Sequence, residues 1–147
     1  MVSTDLLRQV SLFSGLSGEQ LSRIAEICRE EIHQKSAIIV REKEPSNDLY
    51  IIREGTAEVA LGTASAPGPT PILHLGRGQI FGEMSLIDRG LRSATVRATS
   101  DRTVLYAIGR DDFIDLCDQD THIGYIVMRN LAADLSFKLR HYNLAWR

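Results

Sequence analysis

The sequence predicts an α+β protein, mainly β, in which a β-barrel or sandwich lies between helices. Two observations carry this prediction. Apolar residues recur at helical spacing near both ends of the chain, and short apolar or β-branched runs separated by Gly or Pro fill its middle. The length of 147 residues suits one compact domain.

The N-terminal zone, residues 1–34, is expected to be helical. A short helix is predicted over residues 4–10. A longer helix begins at Ser17, which stands three residues before Gln20 in the arrangement of a capping box, and it continues to about Glu30.

The middle zone, residues 35–108, is expected to be a β-roll. Turn signals separate the runs that read as strands. The predicted strands are 38–40, 49–53, 56–61, 72–75, 93–98 and 103–108. Because side chains alternate along a strand, Ala57, Val59 and Leu61 are expected to share one face.

The C-terminal zone, residues 109–147, is expected to be helical again. Asp111 or Asp112 is predicted to cap a short helix, and Asp120 or Thr121 a longer one that runs to about Trp146. Two apolar stripes follow the longer helix. The first is Met128, Leu131, Leu135, Leu139, Tyr142 and Trp146, and the second is Ile126, Ala133, Phe137 and Leu144. One stripe can pack on the β-roll. The other stripe is expected to contact a ligand, a second subunit or a further domain, unless both stripes pack on their own chain.

Composition excludes several classes of protein. With 24% charged residues and a net charge of −2, the chain lacks the basic excess of nucleic-acid binders. No run of about 20 apolar residues is present, so no membrane segment is predicted in this chain. Cys28 and Cys117 fit no metal spacing and are expected to be reduced thiols of a cytoplasmic protein.

The stretch at residues 81–98, FGEMSLIDRGLRSATVRA, carries the chemistry. Gly82 permits positive φ or a close approach of the backbone to a ligand. Arg92 offers a planar fork of donors that suits phosphate oxygens, and small residues beside it leave backbone N–H groups within reach. Glu83 accepts hydrogen bonds only, so it suits a sugar hydroxyl. Taken by residue type alone, a simple ion pair between Glu83 and Arg92 is an equal alternative.

This stretch resembles the phosphate-binding cassette of the cyclic nucleotide-binding domain family, which includes catabolite activators, protein kinase A regulatory subunits and cyclic nucleotide-gated channels. The family pattern is matched at Phe81, Gly82, Glu83, Leu86, Arg92, Ser93, Ala94, Val96 and Ala98. The resemblance covers nearly the whole chain. It implies a single domain over 1–147, a jelly-roll-like β-barrel flanked by N-terminal helices and by C-terminal lid helices called B and C. We call residues 81–98 the cassette.

The resemblance also implies the ligand-binding residues. They are Phe81, Gly82, Glu83, Met84, Ser85, Arg92, Ser93 and Ala94. In this pattern Arg92 pairs with the cyclic phosphate and Glu83 accepts from the ribose 2′-OH. The candidates for base contact are Val59, Leu61, Asp134, Leu135 and Leu139. Asp134 either accepts from a guanine edge or is a solvent-facing helix charge, and cAMP is favoured over cGMP.

The chain departs from the family at three turns. Ser36, Lys43 and Ser46 stand where the family often has glycine. A turn that needs positive φ would be strained there. These positions lie in the hairpins away from the cassette, so they bear on turn geometry more than on binding.

The implied function is that of a cyclic nucleotide sensor that couples occupancy to movement of its C-terminal helices. Alternatives are a cytosolic regulatory domain of a channel or transporter, and a degenerate domain that only dimerises. No enzyme activity, cofactor or metal site is predicted, since the histidines are scattered and form no H-x-H pair. We expect a homodimer through the last helix, an effector that the sequence does not identify, and no DNA binding by this chain.

Overall fold

A computed structural model describes residues 2–45, 47–61 and 70–142. Its helices are α1 (Thr4–Gln9), α2 (Gly18–Ile27), α3 (Arg110–Gln119) and α4 (Thr121–Tyr142), with 3-10 turns at Ser11–Phe13 and Glu83–Leu86. Its strands are β1 (Cys28–Gln34), β2 (Ile38–Val40), β3 (Asp48–Glu54), β4 (Ala57–Leu61), β5 (Thr70–Leu75), β6 (Ile80–Phe81), β7 (Thr95–Ala98) and β8 (Arg102–Gly109).

The strands form two four-stranded antiparallel sheets. One has the order β1-β8-β3-β6 and the other the order β2-β7-β4-β5. The jelly-roll-like, mainly β fold is therefore confirmed, as a sandwich of two sheets and not as a closed barrel.

Alternate side chains of β3 point into two different hydrophobic cores. Leu49 and Ile51 face the helices, in a cluster with residues of α1, α2, α3 and α4. Tyr50 and Ile52 face the other way and pack with Val96 and other residues of the second sheet. The sheet that carries β3 is thus apolar on both faces, which fixes its position between the helices and the second sheet.

The N-terminal zone is less helical than its sequence suggested. The capping box is present, with the Ser17 side chain accepting from the Gln20 N–H and the Gln20 side chain accepting from the Ser17 N–H. However, α2 ends at Ile27, and Cys28–Gln34 is the edge strand β1, paired along its length with β8. The prediction of helix to about Glu30 was wrong because strand pairing overrides a weak local pattern.

The two C-terminal helices begin differently from each other. At α4, Asp120 accepts from the N–H groups of His122 and Ile123, as predicted. At α3 the residue before the helix is Gly109, which makes no side-chain cap, and Asp111 and Asp112 lie inside the first turn. There they interact favourably with the helix dipole instead of capping the helix.

The burial of α4 divides it into two halves. In its first half Ile123, Val127 and Leu131 are buried in the core shared with the N-terminal helices and the sheet, and Ile126 is buried as well. From residue 132 to 141 every side chain is exposed except Leu135, which is half-buried. The predicted stripes are therefore mixed: Ile126 belongs to the buried face, whereas Phe137 and Leu139 are exposed. Leu144 and Trp146, and the side chain of Tyr142, lie outside the described residues.

Over the described ranges, none of the helices combines the length and apolar character that crossing a membrane requires.

Candidate functional site

A left-handed glycine opens the 3-10 turn of the cassette. Gly82 has φ 79° and ψ 18°, and its carbonyl accepts from the Ser85 N–H at 3.1 Å and from Ser85 Oγ at 2.6 Å. Ser85 is fully buried, so this hydroxyl has no water to bond instead. The result is a tight turn whose backbone N–H groups are held in a fixed direction.

Arg92 is the buried cation of the site. Its side chain is enclosed, with 9% of the residue exposed, and its Nη2 donates to the backbone carbonyl of Asp48 at 2.9 Å. Its Nη1 is buried and has no hydrogen-bond partner among the residues that the structure describes. Burial lowers the pKa of Arg92 below its usual value, although Tyr50, Asp48 and Glu83 oppose that shift. A buried guanidinium donor without an acceptor is costly unless something else accepts from it.

An aromatic pair supports Arg92 from below. The Arg92 guanidinium carbon lies 5.8 Å from the centre of the Tyr50 ring, and that ring stacks on Phe81 with centroids 4.9 Å apart. The ring face is negative, so it offers the cation partial compensation without using up its donors. Phe81 therefore contributes to the site through Tyr50.

Asp48 links this arrangement to β1. Its carboxylate accepts from Arg29 at 2.7 Å and from the Tyr50 hydroxyl at 3.4 Å, while its carbonyl accepts from Arg92. Burial raises the pKa of Tyr50 to about 12, with the charges of Glu31 and Asp48 adding to the shift. Tyr50 thus stays neutral and serves as a donor.

Glu83 is not paired with Arg92 by a direct ion pair. Its carboxylate lies 3.5 Å from Lys138 on α4, and Lys138 also pairs with Asp134 at 2.9 Å. The alternative of a plain Glu83–Arg92 salt bridge across a turn is therefore not what the chain forms. Glu83 and Arg92 are therefore not neutralised by each other, and each can bind a different group of a ligand.

These side chains surround a cavity of about 190 Å³, which we call the cassette cavity. Its lining combines a polar edge with an apolar wall. The polar edge is Gly82, Glu83, Arg92, Ser93 and Lys138, and the apolar wall includes Val40, Val59, Leu73, Phe81, Ala94 and Val96. Such a cavity offers a small ligand one anion-binding end and one apolar face.

The predicted ligand-binding residues fall into two groups. Phe81, Gly82, Glu83, Arg92, Ser93 and Ala94 all line the cassette cavity. Met84 and Ser85 do not: Met84 is exposed and Ser85 is buried beneath the turn.

The candidates for base contact are spread more widely. Val59 lines the cassette cavity, and Asp134 lines a larger neighbouring cavity. Leu61, at the end of β4, is 38% exposed and lines neither of these cavities. Leu135 packs against the helical core, and Leu139 is 59% exposed. The register of α4 explains the difference, because it turns Lys138, not Leu139, toward the cassette.

Two of the three turns without glycine keep a glycine-like backbone. Ser36 has φ 73° and Lys43 has φ 71°. The left-handed backbone at Lys43 belongs to a turn that bonds Arg92. The Lys43 N–H donates to the Arg92 carbonyl at 2.8 Å, and the Arg92 N–H donates to the Glu44 carbonyl. This hairpin therefore fixes the backbone of the site arginine. Ser46 lies outside the described residues.

The β-sandwich has helices at one side, and it carries a left-handed glycine turn and a buried arginine at the edge of a small cavity. The family model described as "Cyclic nucleotide-binding domain" matches residues 30–120. This match spans more than half of the chain, which therefore belongs to the cyclic nucleotide-binding domain family.

Relatives and solved structures agree with this assignment. Over 121 residues the chain is 31% identical to the cGMP-dependent protein kinase, isozyme 1, of Drosophila melanogaster, covering 79% of this chain and 16% of the kinase. The Thermus thermophilus catabolite activator protein has a TM-score of 0.80 and 30% identity, covering 92% of this chain and 61% of that one. The regulatory domain of Toxoplasma gondii protein kinase A, solved with cAMP, has a TM-score of 0.70 and 27% identity. The match covers 77% of this chain and 42% of that one.

Sequence reasoning missed three residues that shape the site. Tyr50 and Asp48 stand on a strand more than 40 residues before Arg92, and Lys138 stands 55 residues after Glu83. Only Tyr50 left a signal that could have been used, as the one aromatic residue of β3, next to the aliphatic residues Leu49, Ile51 and Ile52.

Proposed function

We propose that this cyclic nucleotide-binding domain is a sensor that binds cAMP in preference to cGMP and passes its occupancy to α3 and α4. The observation that carries the proposal is Arg92, a buried guanidinium whose Nη1 has no acceptor within the described protein and which lines the cassette cavity. A cyclic phosphate would supply that acceptor and the charge to match it.

The other roles follow from the chemistry of the lining. Ser93 and the Ala94 N–H would complete the phosphate cradle, and Gly82 lets the backbone approach because a side chain there would collide with Arg92. Glu83 would accept from the ribose 2′-OH. None of these roles requires bond making, so we propose a regulatory and not a catalytic activity.

The preference for cAMP rests on Asp134. This acid could accept from the N1–H and N2–H groups of guanine, but its carboxylate is already paired with Lys138 at 2.9 Å. Guanine would have to compete for it, whereas adenine presents no such pair of donors on that edge. Val59 offers either base an apolar contact.

We also propose that α4 forms a homodimer. Exposed or half-buried apolar side chains recur along it at alternating steps of three and four, the spacing of a coiled-coil seam. They are Tyr125, Met128, Ala132, Leu135 and Leu139. In sedimentation equilibrium, Leu139→Glu should shift the protein toward monomer. Phe137→Glu, which changes an exposed residue off this seam, should not. A wild type that stays monomeric at high concentration would contradict the proposal.

The location that we propose is the cytoplasm. Cys28 and Cys117 are both free thiols, which suits a reducing compartment.

Binding can be tested with protein that has been unfolded and refolded to remove any carried-over nucleotide. Thermal unfolding is followed with cAMP, cGMP and linear AMP, and affinities are measured by calorimetry. At a hundredfold excess over Kd a ligand adds about 2.7 kcal/mol to stability. We expect this gain with cAMP, a smaller one with cGMP at equal concentration, and none with AMP.

The matched variants separate binding from folding. Arg92→Ala should lose about 2–5 kcal/mol of binding free energy. Arg102→Ala, which removes an arginine from an exposed ion pair with Glu54, should bind as the wild type does. Unchanged affinity in Arg92→Ala, or no binding of either cyclic nucleotide by the wild type, would contradict the proposal.

A further inference from the structure

Lys138 ties the exposed half of α4 to the cassette. Its ammonium lies 2.9 Å from Asp134 Oδ2 on the same helix and 3.5 Å from Glu83 Oε1. Partial burial alone would lower the pKa of Lys138, but the hydrogen bond to Asp134 and the charges of Glu83 and Asp134 outweigh it and raise that pKa. Lys138 is therefore a charged group whose charge is already compensated by two carboxylates.

The same residue stands between two cavities. The cassette cavity of about 190 Å³ has a neighbour of about 630 Å³, which is bounded by the Ser11–Phe13 turn, β5, β6 and α4. Lining residues common to both form the wall between them: Leu73, Leu75, Ile80, Glu83 and Lys138. The Lys138–Glu83 pair is the polar part of that wall. Small-molecule sites usually measure about 300–1,000 Å³, so the cassette cavity alone is small for a nucleotide.

We propose that Lys138 determines the affinity and the ribose selectivity of the site by competing with the ribose hydroxyl for Glu83. This inference rests on the proposed function, and it adds a residue and a coupling step to it. A nucleotide whose ribose 2′-OH donates to Glu83 must part Lys138 from Glu83, whereas a nucleotide without that hydroxyl leaves the pair in place. The end of α4 is released in the same step.

The charges and the packing favour competition over direct help from Lys138. An ammonium held by two acids is a poor partner for a phosphate, because it would have to leave both of them. Glu83 is mostly enclosed, with 17% of its side chain exposed, so it gains from any donor that reaches it. Between residues 132 and 141 only Leu135 is half-buried on α4, so few apolar contacts oppose the release of this part of the helix.

Calorimetric titration of Lys138→Met with cAMP and with 2′-deoxy-cAMP tests the proposal. Without Lys138, the ribose hydroxyl no longer has a competitor, and we expect cAMP to bind about two- to fivefold tighter, the range for a partly exposed ion pair. The preference for cAMP over 2′-deoxy-cAMP should widen. In the wild type Glu83 keeps Lys138 as its partner when 2′-deoxy-cAMP binds, whereas in Lys138→Met it has neither Lys138 nor a ribose hydroxyl. Lys35→Met, at an exposed position on the turn between β1 and β2, makes the same charge change and should alter neither affinity.

A second readout needs no nucleotide. Amide hydrogen exchange in the last turns of α4 should be faster in Lys138→Met than in the wild type and Lys35→Met. Unchanged affinities, weaker cAMP binding or unchanged exchange in Lys138→Met would each overturn the competition. Failure of the wild type to bind any cyclic nucleotide would instead overturn the proposed function.

Discussion

Gly82 and Arg92 lie so close together that position 82 has no room for a side chain. A Cβ built on Gly82 would collide with Arg92 Nη1 and lie 2.7 Å from the carbonyl oxygen of Asp48, the same oxygen that accepts from Arg92. The glycine therefore provides two things at once, a left-handed turn and the space for a buried guanidinium.

Gly82→Ala should abolish binding of cyclic nucleotides, because the added methyl group displaces Arg92. Gly78→Ala is the matched control: Gly78 has a similar φ of 85°, but nothing lies within 4 Å of a Cβ there. Both variants should lose about 1 kcal/mol of stability to backbone strain, with a further loss at Gly82 from the collision. Calorimetry and urea unfolding measure the two effects, and equal affinities in the two variants would contradict the role of Gly82.

Arg92→Met should separate stability from binding. The substitution removes a desolvated cation whose Nη1 is unsatisfied, at the cost of one hydrogen bond to the Asp48 carbonyl. Replacing a poorly compensated buried charge by an apolar side chain is often neutral or stabilising. We expect the free energy of unfolding without nucleotide to change by less than about 1 kcal/mol or to rise, while affinity is lost. A loss above about 2 kcal/mol would show that Arg92 is structural.

Ser36→Gly should stabilise the domain, because Ser36 holds a left-handed φ of 73° that glycine adopts without strain. We expect a gain of about 0.5–1 kcal/mol in urea unfolding, after allowance for the extra freedom of glycine in the unfolded chain. Lys35→Gly, at the neighbouring position without positive φ, should destabilise instead. A gain in both variants would assign the effect to something other than backbone strain.

Asp120→Asn should weaken the response of stability to acid. The hydrogen bond from Gln20 and those from the Ile123 and His122 N–H groups, with Arg23 nearby, lower the pKa of Asp120 below its usual 3.8. A carboxyl group with a lowered pKa stabilises the folded state above its unfolded pKa, and that contribution is lost as pH falls through the folded pKa.

Urea unfolding at pH 7 and at pH 3 measures this effect. The wild type should exceed Asp120→Asn in stability at pH 7, and the gap should narrow at pH 3. Asp115→Asn, which removes an exposed charge from α3, controls for net charge. A gap that stays constant with pH would contradict the assignment.

The cassette and the capped helices could be predicted from sequence because their signals are local. Gly82, Glu83 and Arg92 lie within 11 consecutive residues, and the Ser17–Gln20 and Asp120 caps act on backbone groups a few positions away. The residue pattern alone predicts their chemistry, before any tertiary contact is known.

The rest depended on long-range pairing. Strand β1 has the sequence CREEIHQ, in which charged residues outnumber apolar ones, and it is a strand because β8 lies beside it. The Arg92–Asp48 and Lys138–Glu83 contacts likewise depend on how the sheet and α4 are placed. Helix periodicity leaves the register of α4 open, and for this reason Leu139 was predicted near the ligand where Lys138 lies.

A crystal structure of the domain with cAMP tests the central claim most directly, through the distance from Arg92 Nη1 to the nearest phosphate oxygen. We expect about 2.7–2.9 Å, the length of a charge-assisted hydrogen bond, with the ribose 2′-OH donating to Glu83. A phosphate bound elsewhere, with Nη1 still lacking an acceptor, would contradict the claim.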